Sequence, residues 1–166
     1  MAQAKYSNVQ VAFHWLTVLL ILGLIGSGLA YSFEFADDGA LAAHQWMGQG
    51  LIVILGGRFI ARTLRRLGPD PTAHAAWEKA LSSSIHFALY AALLVFVVTG
   101  YVSASALRDT SLLFPVDLAF ARSDTGEMLL ETHYAMKWVL LAPLSLHIAG
   151  ARKHLVIDRD QTLSNM

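Results

Sequence analysis

Seven histidines and no cysteines set the metal and redox chemistry open to this 166-residue chain. Without thiols there is no disulfide, no iron–sulfur cluster, no thioether attachment of a porphyrin and no thiolate zinc site. Imidazole is the abundant remaining ligand, and its placement is patterned. His133 and His147 are 14 residues apart. That is close to four helical turns, so the two share one face about 21 Å apart along the axis. His14 stands near the start of the first apolar run and His44 near the start of the second. If successive runs cross a bilayer in alternate directions, His14 reaches the depth of His147 and His44 that of His133.

Histidine inside an apolar segment is costly and usually functional. The bland reading of any one of them is a hydrogen bond to a neighbouring helix. Two pairs at two depths suit a flat iron porphyrin held between imidazoles in each half of the bilayer. With both axial positions filled, such a group favours electron transfer over oxygen binding. The residues therefore point to two b-type haems, an outer one on His44 and His133 and an inner one on His14 and His147.

Other residues take part in this expectation less directly. Gly23, Gly26, Gly28, Gly48 and Gly100 could let a ring approach the backbone, although small residues also serve ordinary helix packing. Pro143, one turn before His147, shapes the inner pocket or simply kinks the helix. His86, with Tyr90 one turn on, is open to three roles: alternative inner ligand, porphyrin-carboxylate contact, or proton donor to a quinone. His154 is either a second quinone proton site or a solvated interface residue. His74, between prolines and a helix start, reads as surface.

The elements that must position these residues are legible from composition. The chain is 55% hydrophobic and 14% charged, against about 25% charged in soluble domains. The apolar residues are collected in long runs, and about 20 such residues cross a bilayer. The expected fold is an all-α integral membrane four-helix bundle, one domain over 1–166, with helices at about 11–33, 41–67, 77–107 and 131–157. The first run reads as a retained helix rather than a leader, because it is long and carries His14-Trp15. Connections are short, apart from a polar, acidic loop from Arg108 to Leu130.

Charge placement orients the bundle. Lys5, Arg58, Arg62, Arg65, Arg66, Lys79, Arg152, Lys153 and Arg159 fall on one side. Glu34, Asp37, Asp38, Asp109, Asp117, Asp124, Glu127 and Glu131 fall on the other, with Arg108, Arg122 and Lys137. Both termini are thus expected in the cytoplasm of a bacterium, with the long loop outside the inner membrane. The arginines at 58–66 also suit haem carboxylates or anionic lipid. No basic patch interleaved with aromatics suggests nucleic acid.

The segments KYSNVQVAFHWLTVLL, AAHQWMGQGLIVILGGRFIARTLRR, IHFALYAALLVFVVTGY and ETHYAMKWVLLAPLSLHIAGARKH resemble the bacterial cytochrome b561 family over nearly the whole chain. That resemblance implies two b haems on the four histidines already paired, and electron exchange with the quinone pool, ubiquinone above all. Small members of this size are similar to superoxide oxidases, which oxidise superoxide outside and reduce ubiquinone on the cytoplasmic side. Carried over, the outer haem would accept the electron. Lys137, with Arg108 or Arg122, would attract the anion. His86 and His154 would complete the quinone site. The competing reading is a haem-bearing anchor subunit for a separate dehydrogenase, hydrogenase or periplasmic redox protein. A haem-free metal transporter leaves the two-depth pairing unexplained.

Overall fold

The computed structural model describes residues 7–64, 75–108 and 113–158, without the side chains of Arg62, Leu107 and Arg108. Lys5, Arg65, Arg66, His74, Asp109 and Arg159, named above, lie outside the described residues. All regular structure among the described residues is helical.

Helix α1 runs Asn8–Ser32. It starts three residues before the apolar run because Ser7 and Gln10 form a reciprocal cap: Gln10 N–H donates to Ser7 Oγ, and Ser7 N–H donates to Gln10 Oε1. Its end is folded back by Glu34, whose φ of 58° lets Phe35 and Ala36 N–H donate to Ala30 O. Helix α2 then runs Asp38–Leu64.

Helix α3 runs Ala76–Arg108, 33 residues, long enough to rise about 50 Å. The expected long loop is more structured than its polarity implies. Tyr101 Oη donates to Phe114 O and accepts from the N–H of Leu113 and Phe114, pinning the chain to α3. A one-turn helix α4, Leu118–Ala121, follows, capped by Asp117. Helix α5 begins at Asp124 and runs to Lys153. Ser123 is its N-cap, and Asp124 and Glu127 in its first turn complement the helix dipole. It contains Pro143 and ends in a π-helical turn, His154–Asp158.

Asn8–Ser32 and Ala76–Ala106 are long and apolar enough, by length and composition, to cross a membrane. Helices α2 and α5 are of similar length but carry more polar residues, among them His44, Gln45, Gln49 and Arg58 on α2 and Glu131, His133 and Lys137 on α5.

Helices α1 and α2 pack as one pair and α3 and α5 as another. The pairs meet through α2 and α3; among the described residues the backbones of α1 and α5, and of α2 and α5, do not pack together. The core is an apolar layer of Leu51, Ala92, Leu93 and Leu140, ringed by Leu20, Leu24, Leu55, Leu89, Phe96 and Met136. Leu140 is seven residues from His133 and seven from His147, so this layer separates the two depths at which those histidines stand.

Candidate functional site

Each of the four expected ligands sits on a long helix, and the helices bring them together in twos. His44 on α2 faces His133 on α5 with ring centroids 6.0 Å apart and planes at 90°. His14 on α1 faces His147 on α5 at 6.4 Å and 63°. Both pairs bridge the seam between the helix pairs on the side where, among the described residues, the α5 backbone packs against neither α1 nor α2.

At the outer pair, backbone carbonyls orient the rings. His44 Nδ1 lies 3.0 Å from Leu24 O and 3.4 Å from Ser27 Oγ. His133 Nδ1 lies 3.2 Å from both Phe96 O and Thr99 Oγ1. A carbonyl only accepts, so in each ring Nδ1 carries the proton and Nε2 keeps its lone pair. These carbonyls belong to apolar helices, and their positions could not be deduced from histidine spacing.

Two glycines make room for those rings. A Cβ on Gly28 would stand 3.1 Å from Cε1 of His44, and one on Gly100 would stand 2.8 Å from Cε1 of His133. The other glycines singled out above serve elsewhere. Gly23 accommodates Met47 Sδ, Gly48 lies near Leu24, and Gly26 meets nothing within 4 Å. Phe96 adds an edge contact to His133, with centroids 5.0 Å apart.

The inner group is built differently. His86 joins it, its ring centroid 5.1 Å from that of His147. Its Nδ1 donates to Ser82 O over 2.7 Å, within its own helix. Arg58 reaches in from α2, with Nη1 3.2 Å from His14 Nδ1 and Nε donating to Tyr90 Oη over 2.9 Å. Sequence reasoning gave Arg58 as a topology determinant that also suits haem carboxylates or anionic lipid, without a place beside His14. Its separation from Arg62 by one turn toward the apolar centre was the available signal that it stands deeper.

The remaining expected residues are dispersed. Lys137 lines an open cleft of about 1140 Å³ between the α1–α2 turn and α5. Tyr31, Glu34, Asp37, Asp38 and Tyr134 line it too, so three carboxylates share the cleft with the lysine, whose Nζ lies 5.7 Å from the centre of the Trp138 ring. Arg122 is not at this cleft; its Nε donates to Ala106 O beside α4. His154 heads the π-helical turn, its Nδ1 3.1 Å from Asp158. Asp158 also pairs with Lys153, which reaches Glu78 at the start of α3.

A flat metal macrocycle fits these donor sets. Two imidazoles sharing one metal from opposite sides, each bonded at about 2 Å, have ring centroids roughly 6 Å apart, as both pairs do. No group of three or more His, Asp or Glu among the described residues is placed to hold a metal ion by itself. Two imidazoles leave the other coordination positions of an iron to a porphyrin, which supplies nitrogens of its own. Next to His44 in sequence, Gln45 keeps a buried Nε2 with no hydrogen-bond partner among the described residues, a donor suited to an acceptor group such as a porphyrin carboxylate.

Comparison with known proteins agrees. No solved structure matches the chain at a significant level. Cytochrome b561 homolog 2 of Escherichia coli strain K12 is 25% identical over 173 residues, covering 98% of this chain and 90% of that protein. The family model for prokaryotic cytochrome b561 matches residues 5–166. The chain thus belongs to the prokaryotic cytochrome b561 family, membrane-bound proteins that bind haem b and carry electrons.

Proposed function

We propose that this protein is a four-span, di-haem electron carrier of the bacterial inner membrane, with both termini in the cytoplasm. It links an outer one-electron donor, superoxide being the leading candidate, to ubiquinone on the cytoplasmic side. The observation that carries this reading is the seam: imidazoles from α1 and α2 meet imidazoles of α5 where, among the described residues, the α5 backbone packs against neither helix. Exposed apolar side chains support the spans. Leu19 and Leu22 on α1, Val53 on α2, Leu94 and Val98 on α3 and Val139 on α5 are each half or more exposed, as a lipid-facing surface requires.

In this reading His44 and His133 hold the outer haem and His14 and His147 the inner one. When bound, each haem supplies a one-electron couple. The chain's own residues bind, orient and insulate. The carbonyls of Leu24 and Phe96 keep Nδ1 of the outer ligands protonated, so Nε2 is the atom that would bind the iron. Leu51, Leu93 and Leu140 exclude water between the two levels. Lys137 at the outer cleft attracts the superoxide anion. On the inner side, Ser82 O holds the proton of His86 on Nδ1, so Nε2 keeps its lone pair and passes a proton to quinone only after taking one up from the cytoplasmic water. His154, partnered by Asp158, is a second proton site there.

A second reading rests on the same cleft. Glu34, Asp37 and Asp38 around Lys137 suit a basic soluble redox protein, with this chain as its haem-bearing membrane anchor. Superoxide-dependent ubiquinone reduction by the isolated chain, with two b haems per polypeptide in a pyridine haemochrome assay, supports the first reading. Two haems without that activity, and rapid haem reduction by a basic cytochrome, support the second. A colourless folded protein overturns both.

A further inference from the structure

The two histidine levels differ in what stands behind the imidazoles, and that difference bears on their redox poise. Behind His44 and His133 are acceptors: Leu24 O at 3.0 Å and Phe96 O at 3.2 Å. A ring whose N–H donates to a carbonyl is a more basic, more electron-rich ligand. It favours the oxidised, more positive iron. Lys137, one turn from His133 on α5, lines a cleft together with Glu34, Asp37 and Asp38, so the described lining of that cleft is net negative.

Behind His14 stands a full cation. Arg58 Nη1 is 3.2 Å from His14 Nδ1, and the guanidinium carbon is 5.7 Å from the centre of the Tyr90 ring. Its polar partners are neutral, and no carboxylate among the described residues faces it. Guanidinium stays protonated throughout the ordinary pH range and can only donate. When His14 offers Nε2 to a metal, its ring proton moves to Nδ1 and the guanidinium must yield that contact. The bond from Arg58 Nε to Tyr90 Oη, 2.9 Å, anchors the side chain on α3 and keeps the charge beside the pair. A fixed positive charge in apolar surroundings favours adding an electron nearby.

We infer that Arg58, held by Tyr90, is a positioning residue that makes the inner level the higher-potential of the two, so that electrons run downhill from the outer face to the cytoplasmic face. The inference rests on the ligand assignment and direction proposed above and adds to them a residue and an order of potentials.

Redox potentiometry on the purified full-length holoprotein, followed at the haem absorption bands, tests it. Arg58→Gln should retain two haems per chain by the pyridine haemochrome assay. Its higher-potential component should move to lower potential, while the lower-potential component stays in place. The expected change is at least tenfold in the oxidised-to-reduced ratio at fixed potential, about 59 mV for one electron. Tyr90→Phe, which frees the guanidinium but keeps its charge, should give a smaller shift in the same direction. Two retained haems with unmoved potentials in Arg58→Gln, or equal shifts of both, overturn the inference.

If Arg58→Gln fails to retain the inner haem, the native side chain decides. His133→Ala, left with the inner haem alone, should titrate as the higher of the two wild-type components. Titration as the lower one overturns the inference. If His133→Ala keeps both haems or loses both, the ligand assignment is what fails.

Discussion

The imidazole of His133 lies so close to Gly100 that a Cβ at position 100 would stand 2.8 Å from its Cε1. The clash involves a ring already held by Phe96 O and flanked by Phe96, so the ring has little freedom to move aside. Gly100→Ala should therefore reduce outer haem occupancy to well under half while leaving the inner haem bound. Gly28→Ala, at 3.1 Å from His44, should give a milder loss. Gly26→Ala, where a Cβ meets nothing within 4 Å, should leave both haems in place. Haem-to-protein ratio measured on the three variants checks this series.

The pairing of ligands across the seam makes a second prediction. His133→Ala should lose one haem and keep the other, as should His147→Ala. The double variant should lose both, because α5 supplies one histidine to each pair. His86→Ala should keep two haems and slow quinone reduction. Retention of both haems by His133→Ala would refute the outer pair.

Charge at the outer cleft gives a third. Lys137 shares the cleft with Glu34, Asp37 and Asp38, so one substitution reverses the only positive charge among its described lining residues. Each exposed unit charge at contact distance is worth about 1 kcal/mol, roughly fivefold in rate. Lys137→Glu should slow reduction of the outer haem by superoxide about that much or more. Asp37→Asn combined with Asp38→Asn should speed it. Both effects should fade in high salt, where surface charges are screened. For a basic protein donor both signs invert, while salt still weakens each effect, so stopped-flow rates with each donor separate the two functional readings.

The α1–α2 turn carries a fourth. Glu34 has φ 58°, a left-handed conformation that strains an L side chain by about 1–2 kcal/mol. Glycine adopts it freely but loses more entropy on folding. Glu34→Gly should then raise stability by about 0.5–1 kcal/mol, read as an increase of a few degrees in the thermal midpoint of the detergent-solubilised protein. It also removes one acid from the cleft, so it should speed, not slow, reaction with an anionic donor.

Legibility in the sequence followed how local the physics was. The long helices are readable because their signals lie within one segment: continuous apolar runs, Ser7 and Gln10 at the start of α1, prolines between segments. Two histidines on one face of α5 at two depths follow from 3.6 residues per turn alone. The beginning of α5 at Asp124 was harder to see. Its first turn, DTGE, is acidic and polar, and its helicity comes from the Ser123 cap and from packing of α4 against α5. The order in the 113–121 segment likewise depends on Tyr101, which is 12 residues away in the chain from Leu113.

By itself, then, the sequence determined an all-helical chain of membrane composition with imidazoles at two depths and a family membership spread over residues 5–166. Only the tertiary structure decided which groups surround those imidazoles. Spacing along one helix cannot say that carbonyls of Leu24 and Phe96 back the outer pair while Arg58 backs His14. Nor can it say that, of five candidate glycines, Gly28 and Gly100 meet the rings. The reason is physical. Helix formation and burial depth depend on neighbours a turn apart, whereas these contacts depend on how one helix is rotated and shifted against another.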